Sequence, residues 1–586
     1  MFWEHEVAGS NPATPTTIMS FFPYASQQLS RLLRWGMEKT MKKTTQLLKG
    51  NWPPILVLFL LFGYLLMGFN KGLSIYDEGL AVYGSDRILH GDLPYKDFWT
   101  LYGPASFYAL AGLFKLFGSS LLVERFYALG IVVAVVLLSY IIAARFASPG
   151  LSLIAPACAA VWLYTPGRGP DDPAMVFTLL SLLFLLNYFS TKRRSWLYPA
   201  GLSIGIIFLF RHDQGAMICA AALILSILHT AIGRGQEKSV ETRPMRSLKA
   251  AACILSGAAL VVIPVAVWLL KSVPTGYLAE MLFVYPLKVY PAVRFLPLPA
   301  PIMSPSALSE GLPLVGYIIT SINQIQFYYP IVVCGMAAVV LARMITQRKI
   351  ALQYTDLFAL AALLTYGLCS IARVMTRADN VHLRGAIVMA SILMPAIACS
   401  MSGSKKLKSA LWALVVLTGF APIAFKAAAS VCIFVDERQN DFSFSIDRAR
   451  GIHAVASFAE YEDLVRYVQV IVPAGEKIFV GNLRHDLIFL NDSMLYFLAD
   501  RQSATRYNEL DPGVANTELV QRQIIADLKG NDVKVVVLRE PITTLEPNAA
   551  GKSTGVVILD QFLRKNFSPA EQFGPYLVCL SNASYQ

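Results

Sequence analysis

Charge is scarce in this chain: 15% of its 586 residues are Asp, Glu, Lys or Arg, against 55% that are hydrophobic. So little charge excludes both a disordered polymer and a single water-soluble globule of this length. Cysteine-based frameworks are missing as well. The eight cysteines form no CxxC and no Cys/His spacing, and six of them (Cys158, Cys219, Cys253, Cys334, Cys369, Cys399) lie inside apolar runs, so neither a disulfide scaffold nor a zinc site is indicated. No small-residue cleavage site follows the first long apolar run, which begins near Pro53, so an uncleaved N-terminus is expected. Residues 1–18 lack any helical period, and Met19 or Met37 is an alternative start. The net charge of +12 would suggest nucleic acid if it were gathered in a soluble domain. Here the Lys and Arg fall in short clusters between apolar runs, the pattern of cytoplasmic loops, and no nucleic-acid partner is expected.

What the chain has in abundance is long apolar runs. They fall at 53–70, 123–144, 150–164, 173–191, 196–210, 214–231, 250–270, 315–342, 354–372, 384–401 and 407–430, and predict a polytopic α-helical membrane protein with about 11 transmembrane helices. A further run at 103–118 is short, aromatic and interrupted by Lys115, which suits a helix lying in the interface. With that segment off the membrane path and a cytoplasmic N-terminal segment (1–50), the clusters Lys192–Arg194, Arg234–Lys249, Arg348–Lys349 and Lys405–Lys408 all face inward. The membrane domain is then 51–431, its first outer loop 71–122. From 432 to 586 the composition becomes that of a soluble α/β domain on the outer face. Strand-like runs KIFVG (477–481), VKVVVL (533–538) and YLVCL (576–580) alternate there with helical periodicity at 515–529. That domain has no GxGxxG and no Walker motif, so nucleotide binding has no support in it.

This topology gathers ionisable residues at the outer helix ends. Asp77 and Glu78 follow the first span directly, where a carboxylate can take a proton from an attacking hydroxyl; the structural alternative is a helix cap or a solvated pair. Asp171 and Asp172, before a Pro-initiated helix, either orient an acceptor or bind a cation, or else cap that helix. Arg211, His212 and Asp213 lie between two apolar runs, where Arg211 either grips a lipid phosphate or pairs with Asp213. Arg373, Arg377, Asp379, His382 and Arg384 crowd one short outer segment. Cations there run against the loop-charge rule; they suit an anion, or else an ion-pair network around Asp379.

The segment YDEGLAVYGSDRILHGDLPYKDFWTLYGPASFYALAGLFKLFGSSLLVERFYAL resembles the first outer loop of GT-C class membrane glycosyltransferases, the group of protein O-mannosyltransferases and lipid A aminoarabinose transferases. The shared features are the acidic pair, the G-x-x-P-Y turn at Gly91–Tyr95, the Y-G-P-A-S-F-Y segment and the L-F-G…E-R entry to the next helix; Gly103 stands where the family has proline. More weakly, MLYFLADRQSATRY resembles a segment of related bacterial envelope enzymes. The resemblance implies a GT-C-like fold and transfer of a sugar from a polyprenyl-phosphate carrier to a glycan, lipid or protein hydroxyl outside the cytoplasm, by a single inverting displacement. It implies Asp77 as the base, with Glu78 and Asp171 or Asp172 assisting. Arg211, His212, Arg377, Asp379, His382, Arg384 and Tyr95 are then expected to contact substrate. No cofactor is required, though paired acids permit a divalent cation; short loops suit a bacterial inner membrane. Competing readings are a transporter or flippase of lipid-linked sugars, an envelope polysaccharide polymerase and a membrane receptor. A transporter would bury charge near the midplane in repeated halves, which is not seen here.

Overall fold

The structure, a computed structural model, describes residues 52–164, 173–232, 242–309, 311, 313–346, 350–400, 404–436, 441–487, 490–542, 544 and 546–582. In the first part of the chain the helices that matter here are α1 (Trp52–Leu66), α2 (Asp77–Leu89), α3 (Ala105–Phe117), α4 (Leu121–Ala143), α5 (Ile154–Leu163), α6 (Ala174–Thr191) and α7 (Leu197–Phe210). They are followed by α8 (His212–Ile232), α9 (Arg243–Ser272), α10 (Leu314–Thr346), α11 (Ile350–Thr376), α12 (Asn380–Ser400) and α13 (Lys405–Cys432). Among the described residues, 8 helices are long and apolar enough to cross a membrane, namely α4, α6 and α8–α13. Helices α1, α3, α5 and α7 are shorter. The chain is a multi-pass membrane protein, and each run expected to span coincides with one of these helices. Helix α3, on the segment expected at the interface, has 13 residues, about 20 Å of rise against the ~30 Å hydrocarbon core.

Helix α12 is the centre of the bundle: from Leu383 to Ile397 all its side chains are buried except at Gly385. Pro395 sits within it, which neighbouring helices make tolerable in a membrane. Helix α9, by contrast, exposes Leu255, Leu260 and Ile263, as a lipid-facing helix should.

Beyond the membrane part come β1 (Phe442–Ser443), β2 (His453–Ala454), α14 (Phe458–Ile471), β3 (Lys477–Asn482), α15 (Met494–Ala499), β4 (Gln502–Ser503), α16 (Glu518–Gly530), β5 (Val535–Arg539), α17 (Ile558–Asn566), β6 (Phe567–Phe573) and β7 (Tyr576–Ser581). Five strands form one sheet in the order β4-β3-β5-β7-β6, with β3 parallel to β4 and β5 and the other pairs antiparallel. Successive strand residues point to opposite faces, and the two faces build two cores. Ile478, Val480, Val535, Val537 and Val578 pack with Val82 and Tyr83 of α2 and with Leu110 and Phe114 of α3. Phe479, Val536, Leu538 and Cys579 pack with Tyr95, Trp99, Leu269 and Met281. The C-terminal sheet therefore shares both its cores with residues of the 71–122 segment, and residues 60–586 form one compact unit.

Two contacts seat the sheet domain on α2. Met494 N–H, opening α15, donates to Ile75 O at 3.3 Å, and a Cβ at Gly79 would lie 2.5 Å from Met494 N, so only glycine allows this approach. At the start of α15 the buried Asp492 accepts from Tyr461 OH (3.0 Å), Tyr576 OH (2.7 Å) and Leu495 N–H (3.0 Å). Burial pushes its carboxyl up to about 6 despite these bonds.

Gly79→Ala should force α2 off α15 and cost about 1–3 kcal/mol, read as a lowered melting temperature of the solubilised protein. Asp492 carries a second expectation. Its carboxyl holds a proton in the folded protein over roughly pH 4 to 6, where the unfolded chain has lost it, so this residue's contribution to stability falls as pH rises through that window, by up to ~3 kcal/mol, and is flat above it. Asp492→Asn should therefore flatten the difference in melting temperature between pH 5 and pH 7; an unchanged difference would exclude Asp492 as its source.

Candidate active site

The turn from α1 into α2 is fixed by one buried ion pair. Arg125 in the first turns of α4 grips Glu78 with both arms, Nε to Oε1 at 2.6 Å and Nη2 to Oε2 at 2.9 Å. Its remaining donors reach Phe69 O, Lys71 O and Gly72 O at 3.3, 3.2 and 2.9 Å, and Ser74 N–H donates to Glu78 at 3.1 Å. Glu78, expected beside Asp77 at the site, is fully buried and points inward, with both oxygens taken up by Arg125. Its neighbour Asp77 begins α2 and is exposed. The preceding Tyr76 holds the cap position and makes no side-chain cap bond. The helix thus separates the adjacent acids into an internal anchor and a carboxylate on the surface.

Asp77 lies within electrostatic reach of Tyr102, which Tyr76 and Tyr290 adjoin in turn; all three tyrosines are partly exposed. Tyr76 OH donates to Asp511 Oδ1 at 2.9 Å, and Arg294 Nη2 lies 3.8 Å from the same oxygen. Burial, then the negative charges of Asp77, Glu509 and Asp511, push the Tyr102 hydroxyl far above its ordinary range. Burial raises the Glu509 and Asp511 carboxyls; the charge of Asp511 raises Glu509 further, while Arg294 and Tyr76 partly offset the shift at Asp511. Directly after Tyr102, Gly103 meets the end of α7: its N–H donates to Phe210 O at 3.2 Å, and a Cβ there would lie 2.2 Å from Leu209 O. Gly103 thus seats the loop that carries Tyr102 against the residue that precedes Arg211.

Arg211 pairs with Asp213, Nη2 to Oδ2 at 2.9 Å. Arg373, at the end of α11, is within electrostatic reach of Asp213 and of His382, as Arg211 is of His382. The His212 ring lies 6.1 Å from that of Phe283, tilted by 59°. Arg373 and His382 also line a cavity of about 20 Å³ with Thr178 and Gln214, room for about one water. Asp379 accepts from Val381 N–H, His382 N–H and His382 Nδ1 at 3.0, 2.9 and 2.7 Å and so caps α12. Burial alone would raise its carboxyl, but these bonds and Arg377 hold it well below the usual range.

Other expected contacts are occupied by the protein itself. Arg377 donates to Asp379 (2.7 Å), to both oxygens of Glu546 (3.0 and 2.5 Å) and to Arg294 O (2.8 Å), tying α12 to the C-terminal domain. Arg384 is buried on α12. Tyr95 is buried, adopts a left-handed φ of 71° and donates to Tyr102 O at 2.8 Å, shaping the loop. Asp171 and Asp172 lie outside the described residues. Among the described residues the one three-ligand grouping, Asp86, His90 and Asp500, is away from Asp77, and Arg448 already pairs with Asp86 and Asp500 at 3.2 and 2.5 Å.

Beside this polar belt, α3, α4 and α6 enclose a groove of about 790 Å³ lined by apolar side chains such as Leu113, Phe117, Phe126, Ile131 and Phe177, and reaching Pro173 and Phe210. Phe210 immediately precedes Arg211, so the groove ends where the cations begin.

The family described as dolichyl-phosphate-mannose-protein mannosyltransferase matches residues 102–268. The fold is similar to that of ArnT from Cupriavidus metallidurans, solved bound to undecaprenyl phosphate, with a TM-score of 0.51 at 12% identity over 91% of this chain and 98% of that one. The apo ArnT structure gives 0.50 at 11% identity over the same shares. The chain resembles the GT-C class of membrane glycosyltransferases. An oligosaccharyltransferase from Archaeoglobus fulgidus, solved with zinc and sulfate, is more distant at a TM-score of 0.44, with 13% identity over 82% of this chain and 68% of that one. No curated protein compared matches the sequence.

In this GT-C-like chain, sequence reasoning missed Tyr102 as a neighbour of Asp77, and Arg294, Glu509 and Asp511 as neighbours of Tyr76. The last two fall just beyond the MLYFLADRQSATRY segment, in YNELDP, and that adjacency was the available signal.

Removing the two acids should have opposite consequences. Glu78→Ala leaves buried Arg125 with only the longer contact to Glu124 at 3.4 Å, a loss of about 3–5 kcal/mol visible as reduced membrane levels and melting temperature. Asp77→Asn, at an exposed position, should leave both within error of the wild type.

Proposed function

We propose that the protein is a membrane glycosyltransferase that moves a sugar from a polyprenyl-phosphate carrier to a hydroxyl of an envelope glycan, lipid or protein, on the outer face of a bacterial inner membrane. The N-terminus would be cytoplasmic and the C-terminal domain outside. The observation that carries this reading is continuity: the exposed Asp77 adjoins Tyr102, Gly103 seats that loop on Phe210, and Phe210 joins the apolar groove to Arg211. A lipid tail in the groove would bring its phosphate to Arg211, Arg373 and His382, and its anomeric carbon toward Asp77. The bound undecaprenyl phosphate of the ArnT structure supports a carrier of this class.

The reaction is one displacement. Asp77 takes the proton of the acceptor hydroxyl as its oxygen forms a bond to the anomeric carbon, and the bond from that carbon to the phosphate oxygen breaks with its electron pair leaving on the phosphate. Guanidinium groups favour the charge that grows there. Attack opposite the leaving group inverts the anomeric centre. The step needs one base and no nucleotide. A divalent cation beside Asp77 would take further oxygen ligands from Asp171 or Asp172.

Transfer in proteoliposomes should fall at least ~10²-fold in Asp77→Asn, while Arg373→Ala should chiefly weaken the donor. In cells, mass spectrometry of envelope glycans should show one sugar missing in Asp77→Asn while the lipid-linked donor persists. Unchanged glycans at matched protein levels would sink the assignment and favour a transporter of the same lipid. Ile131→Trp, which fills the groove, should raise donor KM without altering the melting temperature.

A further inference from the structure

Two buried acids next to Tyr76 and Tyr102 have no role in the displacement. Glu509 and Asp511, on the loop after β4, are 2% and 4% exposed, and Glu509 Oε2 and Asp511 Oδ2 have no hydrogen-bond partner. Their other interactions are with Thr100, Tyr76 and Arg294. A buried carboxyl oxygen without a partner is costly; ionised it accepts, and protonated, as burial favours here, it can donate. What this corner lacks is hydrogen-bond partners.

The groups next to the pair are also suggestive. Tyr76, Tyr102 and Tyr290 are partly exposed, with Tyr76 and Tyr290 near Tyr102 and Tyr102 near Asp77. Aromatic faces backed by acids with unused hydrogen-bonding capacity match one class of ligand, a polyhydroxylated ring, whose C–H face packs on the tyrosines while its hydroxyl or amino groups exchange hydrogen bonds with the acids. Cations are fewer here than acids: Arg294 faces Asp511, and Arg377 is already matched by Asp379 and Glu546. An anionic group is therefore disfavoured in this corner, in contrast to the Arg211–Arg373–His382 belt.

We propose that Tyr76, Tyr102 and Tyr290 together with Glu509 and Asp511 form the seat of the transferred sugar, so that the C-terminal domain supplies the part of the site that tells one lipid-linked sugar from another. The inference rests on the donor reading above and divides its labour: the membrane helices hold the lipid phosphate, and the outer domain reads the sugar. The shared cores of the sheet and first outer loop give the reason for their union, because the seat joins residues 76–102 to residues 509–511, with Tyr290 from a third segment.

The test is binding to the solubilised full-length chain. Undecaprenyl phosphate is compared with the same lipid carrying mannose, arabinose or 4-amino-arabinose, in the wild type, Glu509→Gln, Asp511→Asn and Tyr102→Leu. In the wild type at least one sugar-bearing lipid should bind more tightly than the bare carrier. Each variant should shrink that margin by about tenfold, which a single lost bidentate or stacking contact supplies, with affinity for the bare carrier unchanged. The largest loss falling on the amino sugar would identify an ammonium as the donor to the acid pair; an equal loss for neutral sugars would identify hydroxyls. A margin that survives in all three variants, or affinities for bare and sugar-bearing lipid that fall together, would overturn the proposal. A wild type that binds all four lipids equally overturns this inference alone, and one that binds none overturns the donor reading with it.

Discussion

The arrangement at the membrane surface depends on the grip of Arg125 on Glu78. A guanidinium and a carboxylate buried together at the N-terminal end of α4 are stable only if nearly every donor and acceptor is used. Here the surplus donors of Arg125 collect three carbonyls of the turn leading into α2. The same residue therefore ends the first helix, sets the direction of the next and turns Asp77 outward. Taking one acid inward is what leaves its neighbour exposed at the start of α2.

From this anchor the chain builds outward by close backbone approach. Gly79 lets the sheet domain rest on α2, and Gly103 lets the loop before α3 rest on α7. Both contacts are made by main-chain atoms, which have few ways to shift, so the relative positions of Asp77, Tyr102 and Arg211 are set by rigid elements. The sheet contributes through its alternation, one face packing on α2 and α3 and the other on the loop of Tyr95 and Trp99. Arg377 and Glu546 close the far side.

Charge is sorted in the same way. Several ionisable residues that crowd the outer loops in sequence are spent on holding the fold: Glu78 on Arg125, Arg377 on Glu546, and Asp379 on the start of α12. The remaining groups separate into a basic belt at the mouth of an apolar groove and an acidic, aromatic corner beside Asp77. A lipid-linked phosphosugar has the complementary order of tail, anion and polyol.

The apolar runs and their lengths determined the helices, because burial in lipid demands long uninterrupted stretches, and the loop charge distinguished α3 from its neighbours. The strands at 477, 533 and 576 were legible for the same local reason: β-branched runs alternate with amphipathic ones. Local pattern also singled out Asp77, through its position after the first span. It could not say that Glu78 turns inward, since that depends on an arginine 47 residues away. Nor could it bring Glu509 and Asp511 to Tyr76, a contact across 435 residues of chain. Periodicity reports which face of an element is buried; which buried charges meet is decided only when distant elements pack.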